Sequence, residues 1–210
     1  CGLGAGLLLF WVQYTWVEIP PVAQRVEQSV ATLLVKPVSS LPRDKRTGFA
    51  GETTFEVLEV LRDVDGAYLT GGTLKYPSEI KTMDDSFYLL IDDPRDERQW
   101  SHPEETTAAA VRFIKEAPTL DTAPPERLRY FLDFLDHEDE HVSAEAYREF
   151  GRADYPVVRE LRPELSRETL RGWVSDPATD QTRIGLYSLL LGLVGNADDA
   201  AYLEERILEP

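Results

Sequence analysis

Cysteine is all but missing from this chain. Cys1 is the single thiol in 210 residues, so no intramolecular disulfide can brace the fold and the core must hold it unaided. A nucleophilic thiol is disfavoured too, because Cys1 opens an apolar stretch rather than an electropositive pocket. Histidine is nearly as scarce, with His102, His137 and His141 alone. Positive charge is in deficit: 22 basic residues stand against 38 acidic ones, for a net charge of −16. A surface of that sign repels phosphate backbones, which excludes nucleic acid as the natural partner. It also disfavours lying flat on anionic lipid, and it favours solubility or a cationic partner. The acids are spread along the chain rather than gathered in a tail. A hydrophobic fraction of 42% is ordinary for a globular chain of this length and excludes wholesale disorder.

Charge is absent altogether from Cys1 to Val17. Gly2 to Val12 is nearly all apolar, and the Gly2-Leu3-Gly4-Ala5-Gly6 run has neither the preceding strand nor the spacing of a dinucleotide fingerprint. The chain does not start with Met, which reads as a processed chain or a fragment. Three origins suit the stretch. It can be the end of a transmembrane helix, with Leu7, Leu8, Leu9 and Phe10 in hydrocarbon and Trp11, Tyr14 and Trp16 as an interfacial aromatic belt. It can be a secretory-signal remnant. Cys1 can also carry a lipid, although a polar linker would then be usual. Membrane anchorage ranks first, and Pro20-Pro21 separates the segment from the body.

Beyond this segment the local pattern changes near Trp100. Before it, Val, Thr, Phe and Tyr form short runs broken by Gly and Pro, the grammar of strands; after it, apolar residues recur at helical spacing. Strands are expected at 29–38, 53–62, 73–80 and 86–91. In the second, Phe55 and Val57 share one face and Leu58 and Val60 the other, so that strand is either covered on both faces or bulged near Leu58. Helices are expected at 104–116, 125–136, 140–150, 155–161, 166–175, 182–194 and 197–208. The first would be opened by a capping box at Ser101-His102-Pro103-Glu104. Leu128, Phe131, Leu132 and Leu135 form a buried stripe. Residues 184–194 are apolar nearly all round, which predicts the most buried helix, with Leu189, Leu190 and Leu193 inside. The fold class is α+β: an apolar anchor (1–17), a small antiparallel β barrel or sandwich (22–100) and a helical domain (101–210).

Tyr130–Phe150 and Tyr187–Ile207 superpose without a gap, matching Tyr130 to Tyr187, Leu132 to Leu189, Phe134 to Leu191, Ala144 to Ala201 and Phe150 to Ile207. With Leu135-Asp136-His137-Glu138-Asp139 leading into Ala144-Glu145-Ala146, residues 125–208 resemble HEAT-like repeats, although the pairs are shorter than usual. The whole chain is similar to uncharacterised exported bacterial proteins that join a small β-domain to such helices. The resemblance implies architecture and location, not an activity.

The sharpest chemical motif is His137-Glu138-Asp139-Glu140-His141, a literal HExxH. On one helix its histidines would share a face, hold zinc and let Glu138 act as base, with Glu145 or Glu149 as candidate third ligand. Here it falls between two amphipathic stripes, in a turn flanked by acids, so the imidazoles need not converge. The acid pairs Asp84-Asp85, Asp92-Asp93 and Asp198-Asp199 lack EF-hand spacing and read as solvated loops or helix caps. Trp100 and Trp173 read as packing residues, Trp100 between the two parts. No nucleophile elbow occurs.

Together these features read as a non-enzymatic accessory or scaffold protein without a cofactor. It would be tethered by its N-terminus, alone or within a membrane complex, with its acidic body on the periplasmic or extracellular side contacting other proteins. The alternative is a zinc-dependent hydrolase using His137, Glu138 and His141.

Overall fold

The computed structural model describes residues 19–81, 86–92 and 100–208. Among them the class is α+β, in two compact units: Pro20–Leu120, which holds the sheet, and a helical unit from Asp121 onward.

The sheet unit begins with a helix the sequence pattern does not announce, α1 (Val22–Gln28), entered directly from Pro20-Pro21. Five strands follow: β1 (Ala31–Leu41), β2 (Glu52–Asp63), β3 (Thr73–Tyr76), β4 (Phe87–Ile91) and β5 (Glu104–Thr106). Their order is β3-β2-β1-β4-β5, every pair antiparallel. The sheet is open, which corrects the barrel or sandwich expectation. The edge strands are four and three residues long and do not pair with each other, so the ladder cannot close. No second sheet is stacked on the first among the described residues.

The core on one face gathers Leu33 and Val35 of β1, Phe55 and Val57 of β2, Tyr76, Tyr88 and Leu90, joined by Ile80 and Trp100. Phe55 sits at the centre of its aromatic part, 6.4 Å from Tyr76 and 6.1 Å from Tyr88 between ring centroids. Leu89 and Ile91 alternate to the opposite face and are buried as well, so β4 is covered twice. α2 (Ala108–Glu116) packs on α1, and α1 packs on β2. Arg25 pairs with Glu104 of β5, and Lys115 pairs with Glu59 of β2.

The choice between double cover and a bulge in β2 resolves as a bulge. Leu34 pairs with Glu59 but Val35 with Val57, so Leu58 is the extra residue. One inserted residue reverses the facing of the residues that follow it, here as far as a second shift at Leu61, where Leu33 pairs with Val60 but Thr32 with Arg62. Val60 therefore returns to the face of Phe55 and Val57 and packs on their core, rather than lying opposite them.

Two boundaries differ from expectation. β5 follows Trp100, and the helix expected from Glu104 starts only at Ala108. The cap is Thr107, whose hydroxyl accepts the Ala110 N–H at 3.0 Å, and Ser101 plays no part in it. Trp100 itself lies in the sheet core, edge-on to Tyr68 at 5.4 Å, rather than between the two parts.

The helical unit follows the sequence pattern closely: α3 (Pro124–Leu132), α4 (Glu140–Arg152), α5 (Tyr155–Glu160), a 3-10 turn (Arg162–Glu164), α6 (Arg167–Ser175), α7 (Gln181–Val194) and α8 (Ala197–Leu208). Prolines open α3 and α5, where a missing N–H costs nothing. Asp139, Ser166 and Asp180 cap α4, α6 and α7 with side-chain oxygens. α3 packs on α4 and α5, and α7 packs on α4, α6 and α8. Leu128, Phe131 and Leu135 are buried as expected; Leu132 is only half-buried, and Leu135 lies in the turn beyond the helix end.

Candidate functional site

The HExxH sequence is divided by a helix boundary. Asp139 is the N-cap of α4, its carboxylate accepting the His141 N–H at 2.9 Å and the Val142 N–H at 3.4 Å. His137 lies before the cap, outside any helix, where its Nδ1 accepts the Asp139 N–H at 3.0 Å. His141 is in the first turn of the helix, exposed, and so is Glu138. The zincin arrangement needs both imidazoles on one face of one helix, and only His141 is on a helix here. Of the proposed third ligands, Glu145 is paired with Arg148, and Glu149 accepts from Arg127 at 2.7 Å with both groups buried. Among the described residues no three His, Cys, Asp or Glu side chains are grouped so as to hold a metal.

The remaining candidates resolve into structural roles where they are described. The Trp173 indole N–H donates to Asp136 at 2.9 Å, and its ring lies 4.8 Å from that of Tyr187. The buried Tyr187 hydroxyl donates to the Leu135 carbonyl at 2.7 Å. These contacts fasten the turn after α3 to α6 and α7. Tyr187→Phe removes one buried donor and leaves that carbonyl without it, so it should cost about 1–3 kcal/mol by chemical denaturation. An unchanged denaturation midpoint would show that the bond contributes nothing.

Asp199 belongs to a reciprocal cap. Asn196 Oδ1 accepts the N–H groups of Asp198 and Asp199 at 2.9 and 3.2 Å, and the Asp199 carboxylate accepts the Asn196 N–H at 2.9 Å. Arg167 and Arg171 also reach that carboxylate, and Arg171 stacks on Tyr202 at 3.4 Å. The hydrogen bond from Arg167, then that from Asn196, hold the Asp199 carboxyl below its ordinary pKa. A carboxyl depressed in the folded state stabilises the fold above the unfolded-state value, and that contribution is lost as the pH falls through the folded one. Asp199→Asn should therefore melt earlier than the parent at neutral pH. The gap should close as the pH drops below the carboxylate range; a pH-independent gap would show that charge is not the cause. Asp84, Asp85 and Asp93 lie outside the described residues, as do Cys1, Leu7, Leu8, Leu9, Phe10, Trp11, Tyr14 and Trp16.

What does stand out is α7. Its apolar surface runs all round, yet only Tyr187, Leu190 and Leu191 are buried. Leu189, expected inside, is 44% exposed, and Leu193 is half-buried. The correction has a geometric cause. α4, α6 and α8 pack on α7, and at 100° per residue Gly185, Leu189 and Gly192 fall opposite Tyr187. Leu186 and Leu193 flank them. Leu189 thus stands outward between two Gly, on a helix whose Gln181–Val194 span contains one charged side chain, Arg183.

Comparison with family models, with curated proteins and with solved structures gives no match for this chain. The two windows of the internal echo are both helix–turn–helix, α3–α4 and α7–α8, but their matched residues differ in burial. Leu132 is half-buried where Leu189 is exposed, and Phe134 is half-buried where Leu191 is buried. Among the described residues no helix is long and apolar enough to cross a membrane.

Proposed function

We propose that the protein is a non-enzymatic accessory or scaffold protein, tethered to a membrane by its N-terminal segment. Its body lies on the periplasmic or extracellular side and binds other proteins, and its paired helices act as a HEAT-like array. The observation that carries this reading is the outward apolar face of α7. A strongly acidic chain gains nothing for solubility from an outward Leu189 flanked by Gly185 and Gly192, whereas a partner can bury it. The tether rests on the uncharged stretch from Cys1 to Val17 and its aromatic end.

Two measurements test it. Deleting residues 1–17 should release a folded acidic protein from the membrane fraction. Leu189→Glu should lower the melting temperature of the full chain only modestly, because nearly half of the side chain is already in solvent, while abolishing co-purification of the bound proteins. A Leu189→Glu chain that retains every co-purifying protein would remove α7 from the interface. A truncated chain that fails to fold would show that the first segment belongs to the core.

A further inference from the structure

The longest stretch with a surplus of bases lies in the sheet unit. Between Glu27 and Glu52 the chain contains one acid, Asp44, against Lys36, Arg43, Lys45 and Arg46. This stretch is β1 and the turn that joins it to β2. The turn is ordered by its own bonds. The Asp44 N–H donates to the Phe49 carbonyl at 2.9 Å, and the Arg46 N–H donates to the Asp44 carboxylate at 2.9 Å. Gly48, at φ +76°, closes it.

Three carboxylates stand near the turn; each keeps its charge, and two of them face a cation of their own. Asp44 accepts the Arg46 backbone N–H and lies 3.5 Å from the Arg46 guanidinium, whose side chain is 91% exposed; Glu79 accepts the Arg43 N–H at 3.0 Å, and Glu52 is paired with Lys75 at 2.7 Å. The cationic side chains of Arg43, Lys45 and Arg46 are exposed. In the same stretch Leu41 and Phe49 are 56% and 45% exposed, and Val38 is exposed too. A hydrogen-bonded turn thus offers cations together with an aromatic and aliphatic side chains.

We infer that this turn docks on an anionic lipid surface, with Lys45 and Arg46 at headgroup phosphates and Phe49 and Leu41 at the acyl boundary. The inference deepens the tethered reading and rests on it, by naming the headgroup chemistry that the sheet unit meets. Charge complementarity selects an anionic occupant. Size selects lipid over protein, because a stable protein interface needs about 800 Å² per partner, more than one short turn supplies. A fluid surface takes a small turn without a matching pocket. The acidity of the whole chain does not forbid this, since charges more than about 8 Å from the contact are screened at physiological salt.

The test uses the full chain with vesicles of phosphatidylcholine alone and of phosphatidylcholine mixed with phosphatidylserine. The parent should bind the mixed vesicles more tightly, and added salt should remove the excess. Lys45→Gln with Arg46→Gln should lose about 30-fold on mixed vesicles, roughly fivefold per cation, and nothing on neutral ones. Phe49→Ser should weaken the mixed-vesicle binding that remains in high salt. Equal binding of the parent to both vesicles, or a double variant that binds mixed vesicles as the parent does, overturns the inference. So does a double variant that keeps its vesicle binding but loses a co-purifying acidic protein, which assigns the turn to protein. Binding to neutral vesicles reports the N-terminal tether separately, so loss of that binding alone defeats the tether and leaves the excess on anionic vesicles to judge the turn.

Discussion

Phe131→Ala should lower the stability of the helical unit by about 3–5 kcal/mol, measured by denaturant titration. The ring is fully buried in α3, edge-on to Tyr130 at 5.2 Å and beneath the Arg127 guanidinium at 5.1 Å. α3 packs on both α4 and α5, so the space vacated by the ring is bounded by more than one helix and cannot collapse by a shift of one. The loss then combines the transfer term with a cavity term. Phe131→Leu retains most of the volume and should recover more than half of it. A Phe131→Ala midpoint within error of the parent would mean that the α3 stripe is not the seam of this unit.

Gly51→Ala should be the most damaging methyl group that can be added to the sheet unit. Gly51 has φ +91°, a conformation that costs a residue with a Cβ about 1–3 kcal/mol. An added Cβ would also stand 2.6 Å from the Glu79 backbone nitrogen and 2.8 Å from the Leu41 carbonyl oxygen. Neither contact can swing away as the end of a flexible side chain does. The Glu79 N–H donates to the Ala50 carbonyl, so the same shift would break the bond that fastens the loop after β3 to the start of β2. Gly48→Ala, with a positive φ but open space around it, is the control for strain alone. If the two variants melt together, the close approach to Glu79 contributes nothing.

The helical half was the more legible half. Pro, Ser and Asp mark the starts of its helices, and 3.6-residue periodicity is a long signal that survives an error of a residue or two. The sheet was harder. A three-residue strand such as β5 carries too little pattern to be seen against a helix start, and α1 is a single seven-residue amphipathic turn pair beside strong strand grammar. The bulge at Leu58 was visible as an inconsistency in facing, because Phe55, Val57 and Val60 cannot share a face in a regular strand. Leu189 shows the limit of composition. On a helix that is apolar all round, the sequence carries no preferred face, and only the neighbours α4, α6 and α8 decide which side is covered. The division of His137-Glu138-Asp139-Glu140-His141 was legible from Asp139, a favoured cap residue placed between two stripes. The cationic turn could have been found by asking where acids are missing, rather than where bases are many.

The strand order has a kinetic consequence. β1 is the first strand made and the middle strand of the sheet, hydrogen-bonded on one side to β2 and on the other to β4. The β1–β2 and β2–β3 pairings are hairpin-like and can form early. The β1–β4 ladder, in which Leu33 meets Leu90, has to wait until all of β2 and β3 have been laid down between its two strands. Closing that long loop is an entropic cost met late. Until it is met, the backbone groups of Thr32 to Val35 that β4 will occupy form an unsealed edge on a strand whose Leu33 and Val35 belong in the core. During that interval the chain is most exposed to pairing with a neighbour. In the finished fold, the amides of Leu33 and Leu90 should be among the slowest in this unit to exchange with solvent.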